Sequence, residues 1–338
     1  MSNFFKENRL LVSVFIAVVA IILIAVPPFL KNYGVYLFSL WLVFVVATMG
    51  LNLTVGYAGQ KSLGHAAFFG IGAYGVAILM KAGLSWWLGL PISMLACFIV
   101  GLIVGFPALR VQTIYLAFAT LGFNTAMWLV FRNEEWLTGG TFGFNGIARP
   151  EIFGFSLKGH LAYYYFTLAI STVAIALLWG LLRSPWGKAF QALRDNPIRA
   201  ESLGIDTRAY TLLSFAIGAV YAGLAGGLYA SLVDYIEPGS FTVGASITMY
   251  LMVVVGGAGL VVGPLVGALI GLILPEWIRD VSPIFSNWFL PVFGVMVIAI
   301  LVWLPDGLAS LPEKLFSKRK VLQAVAPTAQ SAIEKGAP

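Results

Sequence analysis

Ser184–Ala209 reads SPWGKAFQALRDNPIRAESLGIDTRA, a polar island between two long apolar runs. Arg183, Lys188, Arg194, Arg199 and Arg208 stand in it or at its edge. The positive-inside rule therefore assigns this loop to the cytoplasm. Its punctuation also predicts local structure. Gln191–Arg194 reads as a short helix that stops at Asp195-Asn196. Asn196 is then an N-cap, with Pro197 at the first helical position, where a missing N–H costs nothing. A second helix, Ile198–Leu203, ends at Gly204, the residue type favoured at a left-handed C′ position. Asp206-Thr207 caps the apolar helix that follows. Two short capped helices on a membrane surface act as an ordered linker or as a plug for a partner's groove, and the dense punctuation favours the plug.

Working outward, the 338 residues are 60% hydrophobic and only 10% charged. A soluble domain carries roughly 25% charged residues, so the chain is read as an all-α polytopic membrane protein. The +6 net charge gathers on the assigned cytoplasmic side. It reports topology and gives no case for nucleic-acid binding. Cys97 is the single cysteine and lies in an apolar run, which excludes a disulfide within the chain and Cys-based metal sites. Lys6 and Arg9 precede a long apolar run with no small-residue cleavage pattern, so the first span is read as uncleaved.

The expected spans are Leu10–Leu30 (with Pro27-Pro28 near its outer end), Tyr36–Val55, Leu88–Ala108, Ile114–Phe131, Leu161–Leu182, Tyr210–Ser231 and Asn287–Leu304. Gly56–Met80 opens too glycine-rich and polar for a simple lipid-facing helix. Arg132–His160 is a long polar loop with TGGTFGFNGI, Thr138–Ile147, at its centre. Thr242–Pro275 is too long for one span of roughly 20 residues and short for two. Glycines at Gly256–Gly259 and Gly263-Pro264 interrupt it. With the polar island and the basic tail both inside, parity makes this segment cross twice or re-enter. The expectation is 9–10 membrane passages, some short or broken, with both termini cytoplasmic and Arg132–His160 outside. Residues 1–304 form the transmembrane domain, including the 184–209 loop, and 305–338 a cytoplasmic tail with a disordered low-complexity end.

The chemistry of the assigned spans is defined by an absence: none contains Asp, Glu, Lys or Arg. Ion-coupled transporters and voltage sensors place ionisable groups there. Intramembrane hydrolysis would need paired carboxylates, HExxH or a serine–histidine pair, and the only histidines are His65 and His160. Gly56-Tyr57-Ala58-Gly59-Gln60-Lys61-Ser62 approaches a phosphate loop, but Gln60 separates Gly59 from Lys61 and spoils GxxxxGK[ST]. The chain is thus read as a non-enzymatic membrane subunit without a cofactor or metal of its own, driven by a separate ATPase. A facilitative channel, which also tolerates charge-free spans, is the competing reading of the residues alone.

Gly56, Gly59, Gln60, Ser62, Gly64 and His65 form the one polar, glycine-rich break. It either lines or gates a translocation path, or forms a packed cytoplasmic turn. Gly59 and Gly64 are its candidates for positive φ, and His65 taken alone reads as a hydrogen-bonded structural residue. Gly70, Gly72 and Gly75 read as close helix packing, as does Gly256–Pro264. Arg110 and Tyr115 read as an interfacial anchor pair, and Trp86-Trp87 as part of an interfacial belt.

GYAGQKSLGHAAFFGIGAY (Gly56–Tyr74), PALRVQTIYLAFATLGF (Pro107–Phe123), TGGTFGFNGI, Ala192–Ala230 and GGAGLVVGPLVGA (Gly256–Ala268) resemble, in this order, the M-type permease family of branched-chain amino acid ABC importers. The resemblance extends over roughly residues 36–305. It implies a heterodimer with an H-type sister permease in the inner membrane of a bacterium or archaeon, two cytoplasmic ATPase subunits and a periplasmic or tethered substrate-binding protein. It also implies that Arg194, Asp195, Asn196, Pro197, Glu201 and Gly204 belong to an EAA-type loop that docks on an ATPase, Glu201 and Gly204 standing at its acidic and glycine positions. The implied substrates are hydrophobic, zwitterionic branched-chain amino acids. The wider family also moves sugars, urea and short amides.

Overall fold

Apolar helices make up most of the computed structural model, which describes residues 21–109, 113–152, 154–281, 294–295 and 297–311. The start of the expected first span, Arg110, part of Asn287–Leu304 and the tail from 312 onward lie outside the described residues. The helices that build the domain follow one another in chain order. They are α1 (Asn32–Asn52), α2 (His65–Lys81), α3 (Trp86–Ala108), α4 (Thr113–Asn133), α5 (His160–Arg183), α6 (Pro185–Asp195), α7 (Pro197–Ser202), α8 (Thr207–Val233), α9 (Val243–Gly256) and α10 (Gly263–Val281).

Among the described residues, five segments are long and apolar enough to span a bilayer: α1 with its π-helical extension to Tyr57, α3, α4, α5 and α8. Shorter apolar helices occur at His65–Lys81, Val243–Gly256, Gly263–Ile273 and Val297–Ser310. The expected all-α membrane architecture with short helices is therefore what forms. Among the described residues the extended pieces are two two-stranded ladders, Phe144–Asn145 with Tyr235–Ile236 and Glu151–Ile152 with Phe155–Ser156. They belong to the polar loop before α5 and the turn after α8.

Helices α1 and α8 form the centre. Each is two-thirds buried over its most apolar window, against about a third or less for α3, α4 and α5. Helix α8 packs on α1, α2 and α3. Its Ala and Gly residues permit this, because helices in lipid associate through close backbone approach. A Cβ at Gly72 of α2 would overlap the Gly223 carbonyl of α8, and one at Gly75 would meet Ser93 Oγ of α3 at 2.5 Å. The helices are also tied by side-chain donors to carbonyls: Thr54 Oγ1 to Ser214 at 2.9 Å, Tyr221 Oη to Ala174 at 2.8 Å, and Trp41 Nε1 to Leu265 at 3.1 Å.

Pro27 and Pro28 have a specific consequence. In a helix their amides would donate to the carbonyls of Leu23 and Ile24, and proline has no N–H to give. Tyr164 and Tyr165 of α5 supply the missing donors, with Oη–O distances of 2.7 Å to Leu23 and 2.9 Å to Ile24.

Three details differ from expectation. Trp86 is buried against Phe166, and only half-exposed Trp87 resembles a belt residue, its Nε1 donating to Glu151 O at 2.8 Å. Helix α10 continues through Pro275 to Val281, so Glu276 lies on it and accepts a hydrogen bond from Tyr33 Oη. The first helix of the polar island begins at Pro185, six residues before the expected Gln191. Ser184 caps it, its Oγ accepting from Trp186 N at 3.2 Å, and Pro185 takes the first helical position. This is the same cap-plus-proline device as Asn196-Pro197.

Candidate functional site

The polar island folds as two capped helices. Asn196 Oδ1 accepts from Arg199 N at 3.0 Å, and Asp206 Oδ1 accepts from Arg208 N and Ala209 N, both at 3.1 Å. Gly204 sits at φ +81 with open space around the Cβ it lacks, so its role is conformational. Helix α6 turns Gly187, Ala189, Phe190 and Leu193 inward. Helix α7 buries only Ala200. Pro197, Arg199 and Glu201 are exposed, as is Asp195, and Asn196 is half-buried.

Two residues that sequence reasoning passed over are exposed here, one on α7 and one at its C-terminal cap. Ile198 is 80% exposed and Leu203 is 79% exposed. A legible signal existed: large apolar residues near the start and just past the end of a short helix whose inward contact needs only Ala200. Together with the exposed charges of Arg199 and Glu201 they make α7 and its C-terminal cap a small amphipathic knob. Such a knob suits insertion into a protein groove.

The glycine-rich break lies directly above this loop. Helix α1 passes into a π-helical turn at Leu53–Tyr57, and the backbone then runs without helix from Ala58 to Gly64 before α2 begins at His65. Three contacts measure how deep α2 starts. His65 Nε2 is 2.8 Å from Ala47 O, ten residues back from Tyr57, or about 15 Å along a helix. Leu63 N donates to Thr120 Oγ1 at 2.9 Å, seven residues into α4, or about 10 Å. Ala66 N donates to Ser246 Oγ at 2.8 Å, ten residues before the end of α9, again about 15 Å. The three agree. Non-helical backbone therefore enters the membrane domain by 10–15 Å or so, a conformation tolerated only within protein or beside water.

Within the break, Gly56, Ser62, Gly64 and His65 are buried, Gly59 and Gln60 are half-buried, and Lys61 is exposed. Gly59 has the expected positive φ, +70. Gly64 does not. Its φ is −105, and its constraint is steric: a Cβ would stand 2.8 Å from Thr120 O. Ser246 Oγ donates onward to Asn124 Oδ1 at 3.0 Å, so the amides at the start of α2 meet side chains of α4 and α9. Thr120, Asn124 and Ser246 carry no sequence motif that marks them, because their partners lie far away in the chain.

Arg194 joins the loop to the break. Its Nη1 donates to Gly56 O at 2.9 Å across 138 residues. Its stem packs on Gly59, where a Cβ would come within 2.9 Å of Cγ, and its guanidinium covers Gly259, where a Cβ would meet Nη1 at 2.6 Å. Gly259 belongs to the turn between α9 and α10, which Asn52 holds through Oδ1 to Gly259 N at 2.8 Å and Nδ2 to Leu260 O at 2.9 Å. Gly256–Pro264 is thus a tightly packed hairpin turn, as its glycines suggest. Among the described residues no group of three His, Cys, Asp or Glu is placed to hold a metal.

Residues 33–301 match the family described as "Branched-chain amino acid transport system / permease component". The high-affinity branched-chain amino acid transport system permease protein LivM of Escherichia coli K12 is 32% identical over 316 residues, covering 86% of this chain and 73% of that protein. LivM of Salmonella typhimurium is 31% identical over 315 residues, with the same coverage of 86% and 73%. The autoinducer 2 import system permease protein LsrC of Escherichia coli O9:H4 is 25% identical over 325 residues, covering 91% of this chain and 89% of its own length. No solved structure matches.

Proposed function

This chain belongs to the branched-chain amino acid transport permease family, and from that premise we propose what each part of it does. It is the transmembrane permease of an ABC importer. With a sister permease it forms the path for branched-chain amino acids, and through α6 and α7 it docks on one of two cytoplasmic ATPases. A binding protein delivers substrate at the opposite face, which carries Arg132–His160. The chain hydrolyses nothing and takes no cofactor, and it resides in the cytoplasmic membrane with the polar island inside.

The observation that supports this reading best is the knob on α7. Ile198 stands on α7 and Leu203 at its C-terminal cap, 80% and 79% exposed. A linker has no use for two exposed aliphatic side chains at a fixed spacing; a groove on a partner does. In addition, the spans assigned from sequence contain no Asp, Glu, Lys or Arg, and Glu276 on the extension of α10 is engaged by Tyr33, which favours energy entering through that partner. A facilitative channel would have no need of such a knob. A permease for sugars, urea or amides is less well supported, because the relatives named for branched-chain amino acids share more of the sequence.

Reconstitution with the sister permease, ATPases and binding protein in vesicles tests the reading. Labelled leucine, isoleucine or valine should accumulate only with ATP. Uptake driven by an imposed proton or sodium gradient without ATP would overturn it.

A further inference from the structure

We propose that Arg194 is the positioning residue through which movement of the docking loop reaches the broken segment Gly56–Gly64; the proposal rests on the importer reading above. Arg194 is the last basic residue of α6, immediately before the turn into α7. Its guanidinium reaches the Gly56 carbonyl, where α1 has loosened into a π-helical turn, and lies over Gly259 in the α9–α10 turn. A single side chain thus bears on two backbone segments that are distant in sequence from it and from each other.

The surroundings suit transmission. Gly59 and Gly259 both have positive φ, and both lack the Cβ that would push Arg194 away. Gln60 N donates to Thr54 O at 2.9 Å, which continues the π-turn into the break. From there Leu63 N and Ala66 N lead to Thr120 and Ser246, so displacement of Gly56–Gly59 bears on the start of α2. The Arg194 Nε–Asp195 Oδ1 contact, at 3.2 Å, is between exposed groups and holds little. The bond to Gly56 is charge-assisted and partly buried, which makes it the stronger grip. A lysine could donate to the same carbonyl but lacks the planar fork that covers Gly259.

The test uses the assembled complex. Arg194→Met keeps the alkyl stem and removes the donor; Arg194→Lys keeps a donor. Complex recovery, ATP hydrolysis and leucine uptake are measured on one preparation. A Gln60→Cys reporter in a Cys97→Ala background measures nucleotide-dependent thiol labelling of the break. With Arg194→Met, uptake per ATP hydrolysed, measured on the complexes recovered, should fall about tenfold, the loss expected for one charge-assisted hydrogen bond. The nucleotide-dependent change in Gln60→Cys labelling should disappear. Arg194→Lys should recover a substantial part of both. Wild-type uptake per ATP in Arg194→Met, or an unchanged labelling response, would overturn the proposal. Loss of ATPase association in both variants would also overturn it, by making Arg194 a docking residue. If the unsubstituted complex shows no ATP-driven uptake, the importer reading fails instead, and that result is distinguishable.

Discussion

At the residue scale, the two glycines of the break separate into different constraints. Gly59 occupies φ +70, a region Asn tolerates and β-branched residues do not. Gly59→Asn should therefore retain more transport than Gly59→Val, whose strain costs at least about 1 kcal/mol. Gly64 has ordinary φ and no room, so Gly64→Asn and Gly64→Val should both lower the yield of folded subunit in detergent. Equal behaviour of Asn and Val at position 59 would remove the conformational argument. On α7, Ile198→Asp and Glu201→Lys should leave the protein inserted and paired while weakening ATPase co-purification; Gly204→Val should do so more strongly, by bending the exit from α7. Full recovery of ATPase with all three would make the loop a linker. Asn196, Gly204 and Asp206 were legible in sequence because a cap is read within four residues. The Gly56 contact of Arg194 and the bond of His65 to Ala47 were not, since their partners are set by the packing of whole helices.

Among the elements, the polar island and the α9–α10 hairpin followed from local punctuation, while α6 proved longer because Ser184-Pro185 starts it. The same periodicity could not say that Trp86 faces Phe166, since every side of a membrane helix is apolar. Helix α5 offers an element-level prediction. Tyr164 is fully buried, and its hydroxyl serves the Leu23 carbonyl. Tyr164→Phe orphans that acceptor at a cost of about 1–2 kcal/mol, and should lower the apparent Tm in detergent by about 2–4 °C. Tyr165 lies at an exposed contact, so Tyr165→Phe should change it less. Equal shifts would mean that burial does not set the value of these bonds.

For the whole molecule, the order of spans and the break between α1 and α2 were readable from apolar length and glycine content, but the depth at which α2 begins was not. That depth depends on Thr120, Ser246 and Ala47 lying at one level, which only the assembled bundle defines. Orientation supplies the molecular-scale prediction. Ser156 lies at the end of the molecule opposite the polar island, separated from it by α5. In a Cys97→Ala background, Ser156→Cys should react with an impermeant thiol reagent in intact cells or spheroplasts, and Lys188→Cys only after permeabilisation. The reverse pattern would invert the topology and place the knob on α7 out of reach of any cytoplasmic partner.

The tyrosine pair also constrains the order of biosynthesis. The carbonyls of Leu23 and Ile24 emerge from the ribosome 141 residues before the hydroxyls that satisfy them. At roughly 5–20 residues per second that interval lasts roughly 7–28 s. Throughout it the proline-broken end of the first span must borrow its donors from water, lipid headgroups or the insertion machinery. Its final seat forms only when α5 arrives, so a ribosome stalled before residue 164 should leave that end open to solvent exchange.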